Sequence, residues 1–284
     1  MEKYDSVQGR IHRDGYALGY TIEGEGEPLL IIGSHVFYPR TFSAGLRSKR
    51  TLIFIDHRGF AQADRGVEAR DCSLETITSD ISAMCSALGL SRLDVMGHSG
   101  HGYMALEFAR RRPDLVRKTV VVATGPSHSP AYMAYGERIW DMLAAPERKH
   151  RLAQDLERMA AKIDAEPEKR FIWMCLGLAA RSWFDPCFDA SDLWQGVHVN
   201  MPIFDSLWGD VFRDFDPGTA LQEIQTPLLI CMGRHDHLVA PLETWLPLTP
   251  ENRQPVFALF ERSAHTPQLE EAERFDETLL NFLA

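Results

Sequence analysis

Ser99 sits in the run Asp94-Val95-Met96-Gly97-His98-Ser99-Gly100-His101-Gly102-Tyr103, where an apolar stretch gives way to a glycine-rich turn. A helical pattern then resumes through Met104, Ala105, Leu106, Phe108 and Ala109. A strand-to-helix corner this tight strains its central residue and turns the side chain outward, and small neighbours permit the bend. A hydroxyl presented in this way is a candidate nucleophile. It needs a base within hydrogen-bonding reach and a third group to orient that base. Asp236 lies in Gly233-Arg234-His235-Asp236-His237, just past the apolar run 228–232. His265 lies in Glu261-Arg262-Ser263-Ala264-His265-Thr266-Pro267, just past another apolar run. A carboxylate stabilises a protonated imidazole, so Asp236 is preferred over its histidine neighbours as the orienting group.

The surrounding pattern says what must hold these residues. Residues 16–23 read as a strand, and Gly24-Glu25-Gly26-Glu27 suits the turn of a hairpin. Runs 29–32 and 52–55 are short and unbroken, as in strands buried on both faces of a parallel sheet, with a short helix or loop over 41–50. Leu74, Ile77, Ile81, Met84 and Leu88 keep helical spacing, with Gly89 placed to stop the helix. A strand at 93–97, a helix from about 100 to 112 before Pro113, and a strand at 119–123 follow. The rhythm breaks after Gly125, and residues 126–218 are irregularly helical and rich in Trp, Met and Phe. Alternation returns with strands at 227–232 and 255–260, a helix near 241–247 and a closing helix over 269–283. This predicts an α/β fold: a mostly parallel sheet flanked by helices, its core formed by residues 1–125 and 219–284, with 126–218 inserted as a helical cap. Open parallel sheets bind ligands at the carboxyl ends of their strands, which is where Ser99, Asp236 and His265 fall.

With the elbow around Ser99 and the chain order Ser99, Asp236, His265, the sequence resembles the α/β-hydrolases over nearly its whole length. Among them it is similar to the capped proline-iminopeptidase-like and small-ester hydrolases. The resemblance implies that Ser99 attacks an acyl carbon, His265 moves the proton and Asp236 holds the imidazole in its working tautomer. It also implies an oxyanion hole built from the backbone N–H groups of Ser34 and Gly100, each donor worth roughly 3–4 kcal/mol in the transition state. Two departures stand out. His101 takes the place of the second glycine of G-x-S-x-G, with Gly102 one step later, and is expected to crowd the packing of the elbow helix. Ile32 stands where the family commonly has a histidine, in Ile32-Gly33-Ser34-His35. Asp56-His57-Arg58-Gly59-Phe60 resembles an architectural turn of the family.

The expected substrate-lining residues are His35, Phe37, Tyr38 and His98, with Met133, Tyr135 and Trp140 just inside the cap; Trp183 and Phe184 read as the cap's own core. An aromatic lining implies a small or medium apolar acyl or leaving group. His35, His57, His98 and His101 gather near one sheet edge but lack metal-ligand spacing, so neither metal nor cofactor is expected; His98 and His101 read as packing behind the elbow. The reading is a serine hydrolase that cleaves an apolar ester or lactone through an acyl-enzyme. The alternative is a proline-iminopeptidase-like aminopeptidase, a class whose cap glutamates bind the substrate amine. A C–C bond hydrolase, an acyltransferase and a hydrolase-like small-ligand receptor share the same pattern.

Composition narrows the partners. The 284 residues are 45% hydrophobic and 25% charged, as in globular proteins. A net charge of −10 argues against nucleic acid or anionic membrane as a partner. No run of about twenty apolar residues predicts a span, and the first residues lack a secretory pattern. Five scattered cysteines read as reduced thiols in a cytoplasmic protein whose partner is a small-molecule substrate.

Overall fold

The computed structural model describes residues 6–284. Nine strands form one sheet: β1 (Val7–Arg13), β2 (Tyr16–Glu23), β3 (Glu27–Gly33), β4 (Arg50–Asp56), β5 (Gln62–Ala63), β6 (Leu93–His98), β7 (Val116–Val122), β8 (Leu228–Gly233) and β9 (Val256–Phe260). Their order is β1-β2-β4-β3-β6-β7-β8-β9, with β5 paired to β2. From β4 to β9 along this path all pairs are parallel. β2 is antiparallel to β1, β4 and β5.

The expected hairpin across Gly24–Glu27 does not form, because β4 lies between β2 and β3. β3 carries four consecutive fully buried apolar residues, Leu29 to Ile32, and such a strand needs a neighbour on each edge, here β4 and β6. The hairpin lies one turn earlier. Asp14 and Gly15 both take left-handed φ, 49° and 79°, and join β1 to β2. Two residues at positive φ match the twist of antiparallel strands, and Asp-Gly is a favoured pair there.

Helices cover both faces of the sheet. On one face, helix Leu74–Ala87 starts where the Ser73 side chain accepts from the Thr76 amide, and it buries Ile77, Ile81 and Met84. Helix His101–Arg111 packs beside it. On the other face, helix Ala272–Leu283 buries Phe275, Leu279 and Leu283 against β3, β4 and β7. The helix expected near 241–247 is instead two 3-10 turns, Leu242–Thr244 and Leu246–Leu248. Pro247 has no N–H to continue an α-helix there. Between β7 and β8 the chain builds a helical insert whose longest members are Pro130–Leu143 and Pro146–Ala165. Trp140, Ala144, Leu152 and Ala180 form a small core of its own. Among the described residues no helix is long and apolar enough to cross a membrane.

Candidate active site

Ser99 lies at the corner between β6 and helix His101–Arg111 with φ 58°, a left-handed conformation rare for a residue with a side chain. The strain is held from both sides. Its amide donates to the Val122 carbonyl at 2.8 Å, and its carbonyl accepts from the Thr124 hydroxyl at 2.8 Å. A Cβ at Gly97 would collide with the His101 carbonyl, and one at Gly102 with the Thr124 side chain. Gly102 therefore provides the close approach that the family places one residue earlier. The expected crowding by His101 is absent, because its ring turns instead toward Tyr38 and His57.

Asp236 follows β8 and His265 follows β9, two parallel neighbours, so both side chains emerge at one sheet edge. The imidazole Nδ1–H of His265 donates to Asp236 Oδ2 at 2.8 Å, and Asp236 Oδ1 accepts from the Leu238 amide at 2.9 Å. A carboxylate on Nδ1 leaves Nε2 as the acceptor face of the ring. Ser99 and His265 lie on the wall of the same cavity, of about 510 Å³. The loop around His265 is pinned by Glu270, whose carboxylate accepts from the amides of Ala264 at 2.9 Å, Thr266 at 3.1 Å and Phe184 at 2.6 Å. Burial raises the Glu270 carboxyl above its ordinary range.

The Gly100 amide belongs to the first turn of helix His101–Arg111, where N–H groups lack intrahelical partners. No hydrogen bond among the described residues uses it, nor the Ser34 amide. Ser34 is buried, and its hydroxyl accepts from the amides of Val36 and Phe37 at 3.2 and 3.1 Å. His35 is turned away from the cavity, contrary to expectation. Its amide and its Nδ1 both bind the Asp56 carboxylate, at 2.9 and 2.8 Å, so it anchors the loop after β3. Burial raises the Asp56 carboxyl, and the hydrogen bonds from His35 oppose that rise.

Phe37, Tyr38, His98 and Met133 line the cavity, and His101, expected behind the elbow, reaches it too. Tyr135 and Trp140 do not line it. On helix Pro130–Leu143 the residues Met133, Gly136 and Glu137 share the inward face, and Tyr135 lies two positions from Met133, beneath Arg138. Trp140 is two turns further on and packs under the Arg181 guanidinium at 4.6 Å. Trp183, expected in the insert's own core, also reaches the cavity. Phe171, Trp194 and Trp208 were missed as lining residues; their only signal in the sequence was the aromatic richness of the insert. The carboxylate on the wall, Glu137, is held bidentate by Arg181 at 2.5 and 2.7 Å. Among the described residues no cluster of His, Cys, Asp or Glu is arranged to hold a metal ion.

Residues 22–272 match the family model described as alpha/beta hydrolase fold. The chain belongs to this family. It is similar to the AB hydrolase superfamily protein YclE of Bacillus subtilis (strain 168), 41% identical over 275 residues, covering 97% of this chain and 98% of that protein. It is also similar to a proline iminopeptidase of Heyndrickxia coagulans, 24% identical, with 92% of this chain and 91% of that protein covered. Among solved structures, the proline iminopeptidase of Mycobacterium smegmatis superposes with a TM-score of 0.72 at 18% identity, covering 98% of this chain and 97% of that one. At that identity the likeness speaks to the alpha/beta hydrolase fold alone.

Proposed function

We propose that this alpha/beta hydrolase is a serine hydrolase that cleaves a small or medium apolar ester or lactone through an acyl-enzyme. The observation that carries the reading is the 2.8 Å bond between His265 Nδ1 and a buried Asp236, with a strained Ser99 opening into the same mainly apolar cavity. Ser99 Oγ forms a bond to the acyl carbon while His265 Nε2 takes its proton. The tetrahedral oxyanion is met by the amides of Gly100 and Ser34. As the intermediate collapses, the bond to the leaving oxygen breaks and His265 returns the proton to it. Water then attacks the acyl-enzyme with the same histidine as base and frees the acid. In this reading residues 126–218 cap a core of residues 1–125 and 219–284. The aminopeptidase alternative has less support, because Glu137 is already paired with Arg181.

The test is a substrate panel on wild type and Ser99→Ala: nitrophenyl esters of rising chain length, acyl-homoserine lactones and N-terminal prolyl anilides. Ester or lactone turnover should fall by at least about a thousandfold in the variant. Equal rates would overturn the assignment, and turnover confined to the prolyl anilide would move it to the aminopeptidases.

A further inference from the structure

Beside Ser99 the side chains of His57, His101, Tyr38 and His98 are buried in one hydrogen-bonded string. Three backbone groups pin the direction of its protons. The Gly59 amide donates to His57 Nδ1 at 3.0 Å, so in the neutral ring the hydrogen is on Nε2. That nitrogen lies 3.2 Å from His101 Nε2, which must accept. His101 then carries its hydrogen on Nδ1, and this nitrogen faces the His98 carbonyl at 3.0 Å, a group that can only accept. The same Nδ1–H reaches the Tyr38 hydroxyl at 2.8 Å. Tyr38 in turn donates to His98 Nδ1 at 3.1 Å, and His98 Nε2–H donates to the carbonyl of His265 at 2.6 Å. Gly59, His98 and His265 therefore impose one and the same order.

We propose that His57, His101, Tyr38 and His98 form a proton-ordered chain of positioning residues that holds the backbone of His265 and keeps a neutral ring beside it. The proposal rests on the reading of His265 as the catalytic base. The chain ties together four loops: the turn after β4, the loop after β3, the elbow, and the loop after β9. Its last ring, His98, lies 4.9 Å between centroids from His265. A positive charge there would oppose the imidazolium that forms on His265 as Ser99 attacks, and the Tyr38 hydroxyl excludes that charge by occupying the only free nitrogen of His98. Burial acts in the same sense, pushing His57 and His98 down to about 3 and His101 well below the ordinary histidine range. The chain also accounts for the departure at the elbow: a glycine at position 101 would leave His57 Nε2–H without its acceptor and Tyr38 without the ring N–H that it accepts from.

Long-range imidazole 15N spectra of the wild-type protein near neutral pH test the order directly, with peaks assigned by single histidine substitutions. His57 and His98 should be Nε2–H tautomers and His101 the Nδ1–H tautomer. A reversed tautomer or an imidazolium at any of the three overturns the chain. Kinetics test the link to the base. His98→Phe, which loses the donor to His265, should lower kcat about thirtyfold with KM within about twofold, and His98→Gln, which keeps a donor, should recover to within about fivefold. A folded His98→Phe with wild-type kcat, an effect confined to KM, or equal losses in both variants overturns the positioning role. Ser99→Ala, measured alongside, separates the two claims: undiminished turnover in it overturns the hydrolase reading, whereas a wrong tautomer overturns the chain.

Discussion

The backbone amide of His265 donates to the carbonyl of Ser182 at 2.9 Å. One residue earlier in the insert, the carbonyl of Arg181 accepts from the amide of His237 at 3.0 Å. Consecutive residues of the short helix Ala179–Ser182 thus brace both the loop that carries Asp236 and the loop that carries His265. The insert is part of the frame of the site as well as one wall of its cavity.

Glu270 is the side chain that completes this frame, with three amides from both sides of the junction converging on its carboxylate. Removing the acceptor leaves the amides of the buried Ala264 and Thr266 unpaired, at about 1–3 kcal/mol each. Glu270→Ala should therefore lower the melting temperature by several degrees and kcat by about tenfold or more. A variant with wild-type kcat would show that the His265 loop keeps its place without it.

Asp236→Asn keeps the shape of the side chain but offers His265 a donor as readily as an acceptor. The imidazole can then adopt the wrong tautomer, and ester turnover should drop by about four orders of magnitude while the fold survives. Circular dichroism would check the fold. A loss of less than about tenfold would remove Asp236 from the role.

Gly102→Ala places a methyl group against the side chain of Thr124, which itself holds the Ser99 carbonyl. Overpacking of this kind costs about 1–3 kcal/mol. The urea midpoint should fall and the labelling of Ser99 by a fluorophosphonate should slow. An unchanged midpoint would mean that the elbow helix can shift away freely.

Stability should depend on pH through the buried histidines. His57 and His98 titrate at about 3 in the folded protein against 6.5 as the ordinary value, and His101 is displaced in the same direction, burial being the main cause in each. Below 6.5 the unfolded chain binds protons that the folded one refuses, so this contribution is fully present above 6.5 and is lost as the pH falls toward 3. Each ring contributes a slope of up to about 1.4 kcal/mol per pH unit. The carboxyls of Asp56 and Glu270, raised by burial, act in the opposite sense as the pH falls through their raised values. Urea unfolding should show a falling free energy from about pH 7 to about pH 5. A flat profile there would mean that these rings are charged in the native state or reach water.

The fold class and the strand ends that carry Ser99, Asp236 and His265 were legible because they rest on local signals. Unbroken apolar runs mark buried strands, helical spacing marks the helices between them, and the glycines around Ser99 mark the corner. What was misread depended on partners distant in sequence. The turn at Gly24–Glu27 looks like a hairpin until β4 takes the place beside β2. The true hairpin was hidden because β1 is polar and largely exposed, although Asp14-Gly15 was there to be read. Tyr135 and Trp140 were misplaced because a sequence shows the faces of a helix but not which of them meets a cavity.

From its residues alone the chain determined an α/β sheet, a serine at a strained corner, and an acid and a histidine at the ends of later strands, since each of these follows from contacts between near neighbours. Only the tertiary structure decided that Asp236 and His265 meet at 2.8 Å, that His35 is given over to Asp56, and that four buried side chains line up beside the elbow with their protons in one order. Hydrogen-bond direction is a property of groups that have met. Here that meeting brings together loops from four separate parts of the chain, which no local pattern encodes.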